Sequence, residues 1–353
     1  MNHRILTRRA GWAAGAALAA CLAGCQPAKP EYHPVWPSPP AEPRITHVQN
    51  IHQADDLGRP NFFQGLGRLI TGDKGVILFR PHGVAVLEGK RIFVTDQELQ
   101  GLAVMEMNGG RSRLIARMDK DFLVSPVGIV SCGQVLALSD SALRAVFLLD
   151  QDGKLLRKIE KPNGFGRPTG LAYDAQRNWL YVSDTLANEI CVFDLAGGNM
   201  VRRIGRSGTA PGEFNFPTHL CVDGQGRLYV TDSMNFRVQI FDAEGKYIFH
   251  IGKQGDASGH LAVPKSVAVD SLGHLYIVDS YFGRVQIFDL QGRFLLAVGE
   301  IGGENGMFQV PAGMAIDSKN RIYVCDSFNK RIQVLQYTRG ADNELSGETS
   351  KKP

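Results

Sequence analysis

The chain has 353 residues, 44% of them hydrophobic and 21% charged, with 39 basic against 35 acidic residues and a formal net charge of +4. This is the composition of a folded protein with a sizeable core, and it excludes a chain disordered throughout. Without Arg4, Arg8 and Arg9 the balance falls to 36 against 35, a net +1; a surface built to hold a polyanion needs clustered Lys and Arg, so nucleic acid is excluded as a partner.

Those three arginines precede "AGWAAGAALAACLAGC", an apolar run shorter than the ~20 residues of a membrane span, so residues 1–24 read as a cleaved export signal. "LAGC", Leu22 to Cys25, resembles the lipobox of bacterial lipoproteins, whose cysteine is lipidated and becomes the first residue of the mature chain. "LAAC", ending at Cys21, fits the same pattern with a shorter apolar region, and an ordinary secretory signal is the competing reading. Arg8 and Arg9 after Thr7 hint at twin-arginine export, whereas Gly11 stands where that signal carries a large apolar residue. By the same resemblance, Gln26 after Cys25 implies the outer membrane of a Gram-negative cell, so the expected location is the cell envelope, facing the periplasm. Residues 25–43 hold seven prolines and predict an extended tether. "RITHVQNI", residues 44–51, alternates imperfectly and reads as a lone strand. Within an insertion at 53–79, "NFFQGLGRLITG" (61–72) places Phe62, Phe63, Leu66, Leu69 and Ile70 on one helical face behind Asn61 as N-cap. A short packed helix is expected there; a channel plug or docking element is the alternative.

From residue 80 onward one pattern recurs. "RIFVTDQELQGLAVMEM", "QVLALSDSALRAVFLLD", "WLYVSDTLANEICVFD", "RLYVTDSMNFRVQIFD", "HLYIVDSYFGRVQIFD" and "RIYVCDSFNKRIQVLQ" place aspartates at 96, 140, 184, 232, 279 and 326. A proline leads each unit, at 81, 126, 168, 217, 264 and 311. Period-two alternation within each unit predicts strands and not helices. The turn "DGQGR" or "DSKNR" joins strands a and b, the loop after the aspartate joins b and c, and "DAEG" or "DLQG" joins c and d. Four short strands per unit of roughly 40 to 50 residues predict a β-propeller blade.

The units resemble the NHL repeat, whose pattern runs from proline through "V-x-V-D" to "Y-V-x-D-S-x-N-x-R-hydrophobic-Q-hydrophobic-F-D". Units four to six match closely, unit three well, and units one and two loosely. The resemblance implies an all-β, six-bladed propeller of four-stranded antiparallel blades over residues 44–338, without self-association. Unit six lacks a fourth strand before the polar tail 339–353, which is expected to be disordered, and residues 44–51 are expected to supply that strand and close the ring.

Six equivalent acids do not make one active site. Asp96, Asp140, Asp184, Asp232, Asp279 and Asp326 read as structural clasps that accept backbone N–H groups, with Arg237, Arg284 and Arg331 as their companions. Function is expected where the units differ. Beside the prolines, where strand a lines the channel of a propeller, the chemically able residues are His82, Thr169, Thr218, His219, Lys265 and Ser266. "PHGVAV" at 81–86 resembles the zinc-ligand context of peptidyl-α-hydroxyglycine α-amidating lyase, a six-bladed relative whose channel zinc takes three histidines. His82 fits one position, but His219 lies one residue out of step and strand alternation points it elsewhere. A lactonase of the gluconolactonase type needs acidic and amide ligands, and strand a offers few. No cofactor is therefore expected, with zinc at His82 and His219, or calcium, as the alternative. Cys132, Cys191, Cys221 and Cys325 form no metal or haem motif. In the loops between strands b and c, Met234, Phe236, Tyr281, Phe282 and Phe328 form an aromatic-rich rim of the type that binds a protein or peptide. The expected function is a non-catalytic binding or scaffold propeller in the envelope; the alternatives are a metal-dependent lyase or lactonase and a small-ligand sensor.

Overall fold

Leu228–Asp232 and Arg237–Phe241, strands b and c of the fourth unit, are buried at every position. Strands of this kind need cover on both faces, and each gets it from a neighbouring blade. Tyr229, Val238 and Ile240 of blade 4 pack with Val267, Leu275, Ile277 and Phe288 of blade 5. Five further clusters of the same form occupy the other junctions. Strand d, Tyr247–Ile251, has neighbouring strands on one side only and alternates half-buried with exposed residues.

This computed structural model describes residues 32–58, 75–107 and 111–338. The export signal, residues 25–31 of the tether with Cys25, the helix expected at 61–72 and the tail 339–353 lie outside the described residues. By contacts the chain divides into Met1–Tyr32 and His33–Pro353; the propeller belongs to the second. It is all-β, with five four-stranded antiparallel blades and a sixth of five strands.

The inner strands Pro81–Leu87, Pro126–Cys132, Pro168–Asp174, Pro217–Val222, Pro264–Val269 and Pro311–Ile316 line a central channel. Proline suits their first position, because an inner edge strand has no partner on the channel side that would need its N–H. Each proline pairs with the aspartate that ends strand b, as Pro81 does with Asp96 and Pro217 with Asp232. The loops between strands b and c and those leading into strand a therefore share one end of the molecule, here termed the mouth face.

Ring closure joins both ends of the repeat region. Ile45–Ile51 pairs antiparallel with Arg331–Tyr337, from Ile45 opposite Tyr337 to Ile51 opposite Ile332. Outside it lies a strand at Val35–Trp36, with Val35 opposite Thr46 and Trp36 opposite Ile45. The last part of the proline-rich stretch is thus folded onto blade 6 and is no free tether; Trp36 lies so close over Gly306 that a Cβ there would meet its ring. Of the insertion at 53–79, a 3-10 turn at Ala54–Leu57 and a bridge between Gln53 and Ile77 are described.

A hydroxyl latch fastens blade to blade. The residue after the clasp aspartate donates its hydroxyl to the proline carbonyl of the next blade: Ser141 to Pro168, Thr185 to Pro217, Ser233 to Pro264, Ser280 to Pro311 and, across the closure, Ser327 to Pro81 at 2.6 Å. Blade 1 carries Gln97 there, and Thr95 donates instead to the Val127 carbonyl at 2.8 Å. The sequence carried this signal as a column of Ser and Thr behind the aspartates, which went unread.

Closure depends on the apolar face of the N-terminal strand, since Ile51 is fully buried in the cluster between blades 6 and 1. Ile51→Ala is expected to cost about 2–5 kcal/mol in urea unfolding, whereas Val48→Ala on the exposed side of the same strand should be near neutral.

Candidate functional site

All six aspartates at the ends of the second strands are fully buried. Asp232 accepts hydrogen bonds from Asn215 N, Asn235 Nδ2, Arg237 Nε and Gln239 Nε2 at 2.7–3.0 Å. Asp326 does the same with Gln309 N, Asn329, Arg331 and Gln333. Arg237 and Arg331 donate onward to carbonyls of the loop leading into strand a, Ala210 and Glu213 in one blade, Glu304 and Met307 in the other. In blades 1 and 2, where the Asn, Arg and Gln are missing, Asp96 and Asp140 accept backbone N–H groups from both flanking loops.

Two blades depart from this scheme. Arg284, unlike Arg237 and Arg331, does not pair with its aspartate: Phe282 occupies the place of the asparagine, the Arg284 guanidinium lies over its ring at 4.4 Å and donates to the Asp256 carbonyl, and Asp279 accepts four backbone N–H groups instead. In blade 3, Glu189 stands where blades 4 and 6 have arginine. The missing cation comes from the preceding loop, where Lys161 Nζ lies 2.5 Å from Asp184 and 2.7 Å from Glu189. Burial pulls the Lys161 ammonium toward the neutral form, but its hydrogen bonds to the two carboxylates outweigh this and raise its pKa. A glutamate in an arginine position was the sequence signal for such a substitute.

The rim residues separate by exposure. Tyr281 is 65% exposed, Phe328 53% and Met234 51%, whereas Phe236 and Phe282 are half-buried, the latter edge-on to Tyr281. The same face also exposes Phe79, Phe122, Val124, Leu186, Ile301 and Val310. Apolar side chains therefore ring the mouth from every blade, beyond the three in which the sequence showed aromatics.

Inside this ring is the channel mouth. Gly83, Gly128, Gly170 and Gly313, two residues after their prolines, sit where a Cβ would strike the inner strand of the next blade. His219 and Ser266 hold that position in blades 4 and 5. Thr169, Thr218 and Ser266 are buried and spent on the scaffold: Thr169 on Thr185 of its own blade and the Thr218 carbonyl of the next, Thr218 on Ser233 of its own blade and the Lys265 carbonyl of the next, Ser266 as acceptor from Met314 N of the next. His82 and His219 differ from these. Strand alternation set them apart, yet their rings stack across the channel from opposite blades, with centroids 5.8 Å apart and 20° between planes. Each inner strand has a bulge after its proline, and bulges re-aim side chains. Nδ1 of His82 and both ring nitrogens of His219 are buried without a hydrogen-bond partner among the described residues. Burial, together with the His219 and Lys265 charges, brings the His82 pKa down to about 3, and burial with Lys265 brings His219 down to about 4. Lys265 is itself lowered by burial and by Arg167, a mouth residue that the sequence reading overlooked. Among the described residues no three His, Cys, Asp or Glu side chains come together as a metal site.

The family described as the SMP-30/Gluconolactonase/LRE-like region matches residues 64–254, and the NHL repeat matches 261–288 and 308–335. The chain is an NHL-repeat propeller of the SMP-30/gluconolactonase/LRE-like family. NHL repeat-containing protein 2 of Bos taurus is 32% identical over 131 residues, 33% of this chain and only 18% of that protein. Among solved structures, virginiamycin B lyase from Staphylococcus aureus aligns with a TM-score of 0.54 at 13% identity, covering 73% of this chain and 95% of the lyase. An auxiliary nutrient binding protein from Bacteroides thetaiotaomicron gives 0.57 at 11% identity, over 76% of this chain and 71% of that one. At such identities the NHL propeller shares a fold with both.

Lys161→Ala strands two carboxylates around a buried clasp and is expected to cost about 3–5 kcal/mol in chemical denaturation; adding Glu189→Arg, which restores the cation of blades 4 and 6, should recover most of it. The histidines make a second prediction. Their folded pKa values lie below the ordinary 6.5, so as pH falls beneath 6.5 the unfolded chain takes up protons that the folded mouth refuses until about pH 3 to 4, and stability is lost across that window. Between pH 6.5 and about 4.5 this amounts to roughly 2–3 kcal/mol per histidine. The fall in Tm over that interval should be smaller in the His82→Gln, His219→Gln double variant than in the parent.

Proposed function

We propose that this NHL propeller is a non-catalytic binding module of the cell envelope that docks a protein or peptide partner on its mouth face, held to the outer membrane by lipid at Cys25. The observation that carries this reading is the ring of exposed apolar side chains on that face, contributed by every blade. Exposed apolar side chains gathered around a channel form a surface that monomeric proteins keep small unless it binds something, and aromatic anchors with nearby Arg are its energetic core. Arg80 lies over Phe328 and Arg167 over Phe216 on this face.

The shared fold does not choose between binding and catalysis, since one structural relative is named a lyase and another a nutrient binding protein. The chemistry of the channel supports binding. A metal-dependent lyase needs three protein ligands and an open position, and His82 with His219 supplies two among the described residues. The side chains along the deeper channel include no carboxylate.

Photo-crosslinking amino acids placed at Tyr281 and Phe328 should capture a discrete partner in intact envelopes, and Met234→Asp should abolish the adducts. Placed at Leu272, in a turn at the opposite end, the same group should give none. Adducts that form equally from Leu272, or that survive Met234→Asp, would overturn docking on this face. Stoichiometric zinc in the purified protein, lost on His82→Ala, would overturn the non-catalytic reading.

A further inference from the structure

The outer strands of the blades differ in how their free edges are protected. A strand that ends its sheet presents unpaired N–H and C=O groups to any other strand, and charged side chains on it are a common deterrent. Blades 1 to 4 carry basic residues there: Arg113 in Ser112–Ile115, Arg157 and Lys158 in Leu155–Ile159, Arg202 and Arg203 in Met200–Ile204, and His250 in Tyr247–Ile251. Blade 6 is covered by Val35–Trp36. Blade 5 has neither device. Its outer strand, Phe294–Val298, reads FLLAV and ends its sheet. Among the described residues its backbone is hydrogen-bonded only within its own blade, and Leu295 on it is 48% exposed. Beside this edge opens a cleft of about 370 Å³, walled by Pro37, Leu295, Leu296 and Tyr337.

We propose that this edge joins a second copy of the chain, the two outer strands pairing antiparallel about a two-fold axis so that two four-stranded blades become one continuous sheet. A two-fold interface sets one patch against itself. Because paired side chains share a face of the sheet, the residue at the centre meets its own counterpart. With Leu296 at the centre, Phe294 lies opposite Val298 and Leu295 opposite Ala297 of the other copy, an apolar pair at every step. The flanks match as well. Arg293, its side chain 78% exposed, precedes the strand and the exposed Glu300 follows it, so antiparallel pairing brings the arginine of each copy to the end where the other carries glutamate. The other free edges refuse the same arrangement. Blade 2 would set Arg157 against Arg157 and blade 3 Arg202 against Arg202, while blades 1 and 4 would bring Arg111 to Arg117 and Lys246 to Lys253; like charges so placed oppose pairing. The cleft gives the incoming strand apolar cover on one face. An extended peptide from another protein would gain the edge but not the matched flanks. The joint lies on the outer rim and leaves the mouth face open, so it is independent of partner docking; it replaces the expectation of a propeller without self-association.

Sedimentation velocity of the full purified chain across the micromolar range is expected to show a concentration-dependent dimer that weakens as salt rises. Leu295→Lys, which gives blade 5 the kind of charge that blades 2 and 3 carry, should weaken the dimer about tenfold or more. Val201→Lys, at the corresponding exposed position of blade 3, should leave it unchanged. The flanks are tested by exchange. Arg293→Glu alone and Glu300→Arg alone should each weaken self-association severalfold, and an equimolar mixture of the two variants should recover the parental strength, since each end of the joint then sets one glutamate against one arginine. Circular dichroism establishes that each variant is folded; if Leu295→Lys is not, the mixture carries the test. A chain that stays monomeric throughout, a dimer indifferent to Leu295→Lys or lost equally on Val201→Lys, or a mixture no better associated than its components overturns the proposal. A monomeric chain that binds an extended apolar peptide through Leu295 overturns it too, and makes the edge a site for another protein.

Discussion

The carboxylate buried at the end of every second strand is the constraint on which the rest of the molecule depends. A charge removed from water is tolerated only when donors converge on it, and the donors here come from two places at once: the loop after strand b and the loop that delivers strand a. Satisfying the aspartate therefore fixes where each inner strand begins. The hydroxyl on the next residue then ties that blade to the proline of its neighbour. Local electrostatics and ring assembly are solved by two adjacent residues.

Much of this architecture was legible because it is periodic. The aspartate and proline spacing gave the blade count, and period-two alternation gave strands in place of helices. What escaped were the features without periodicity. Two residues, Val35 and Trp36, between prolines cannot announce a strand, yet their pairing with Thr46 and Ile45 extends blade 6. The direction of His219 was misread because alternation fails at the bulge after Pro217. Lys161 was invisible as a clasp because it sits in a loop and serves a carboxylate on another segment. Arg284 has the sequence position of a clasp and a different partner, because its neighbour Phe282 offers a ring face where the other blades offer an amide.

The mouth shows how a repeat protein gains an individual character. Four blades keep glycine where inner strands crowd one another, while blade 4 places an imidazole there and blade 1 sets another across from it. Repetition makes the wall, and a few departures from it, all near one end of the channel, make the only chemically distinctive surface along the inner strands among the described residues. The apolar ring around that end is built differently: its members come from variable loops, each anchored at its base by the same aspartate.

The pairing that closes the ring has a kinetic meaning. Ile45 and Tyr337 face each other across the joint, 292 residues apart in the chain. Apart from its short pairing with Val35–Trp36, Ile45–Ile51 has no lateral partner until the last third strand exists, so the circle cannot be sealed while the chain is still growing. Contacts of such long range slow folding, and every blade face at the joint stays uncovered until both ends meet. A protein with this topology commits to its native state late and all at once.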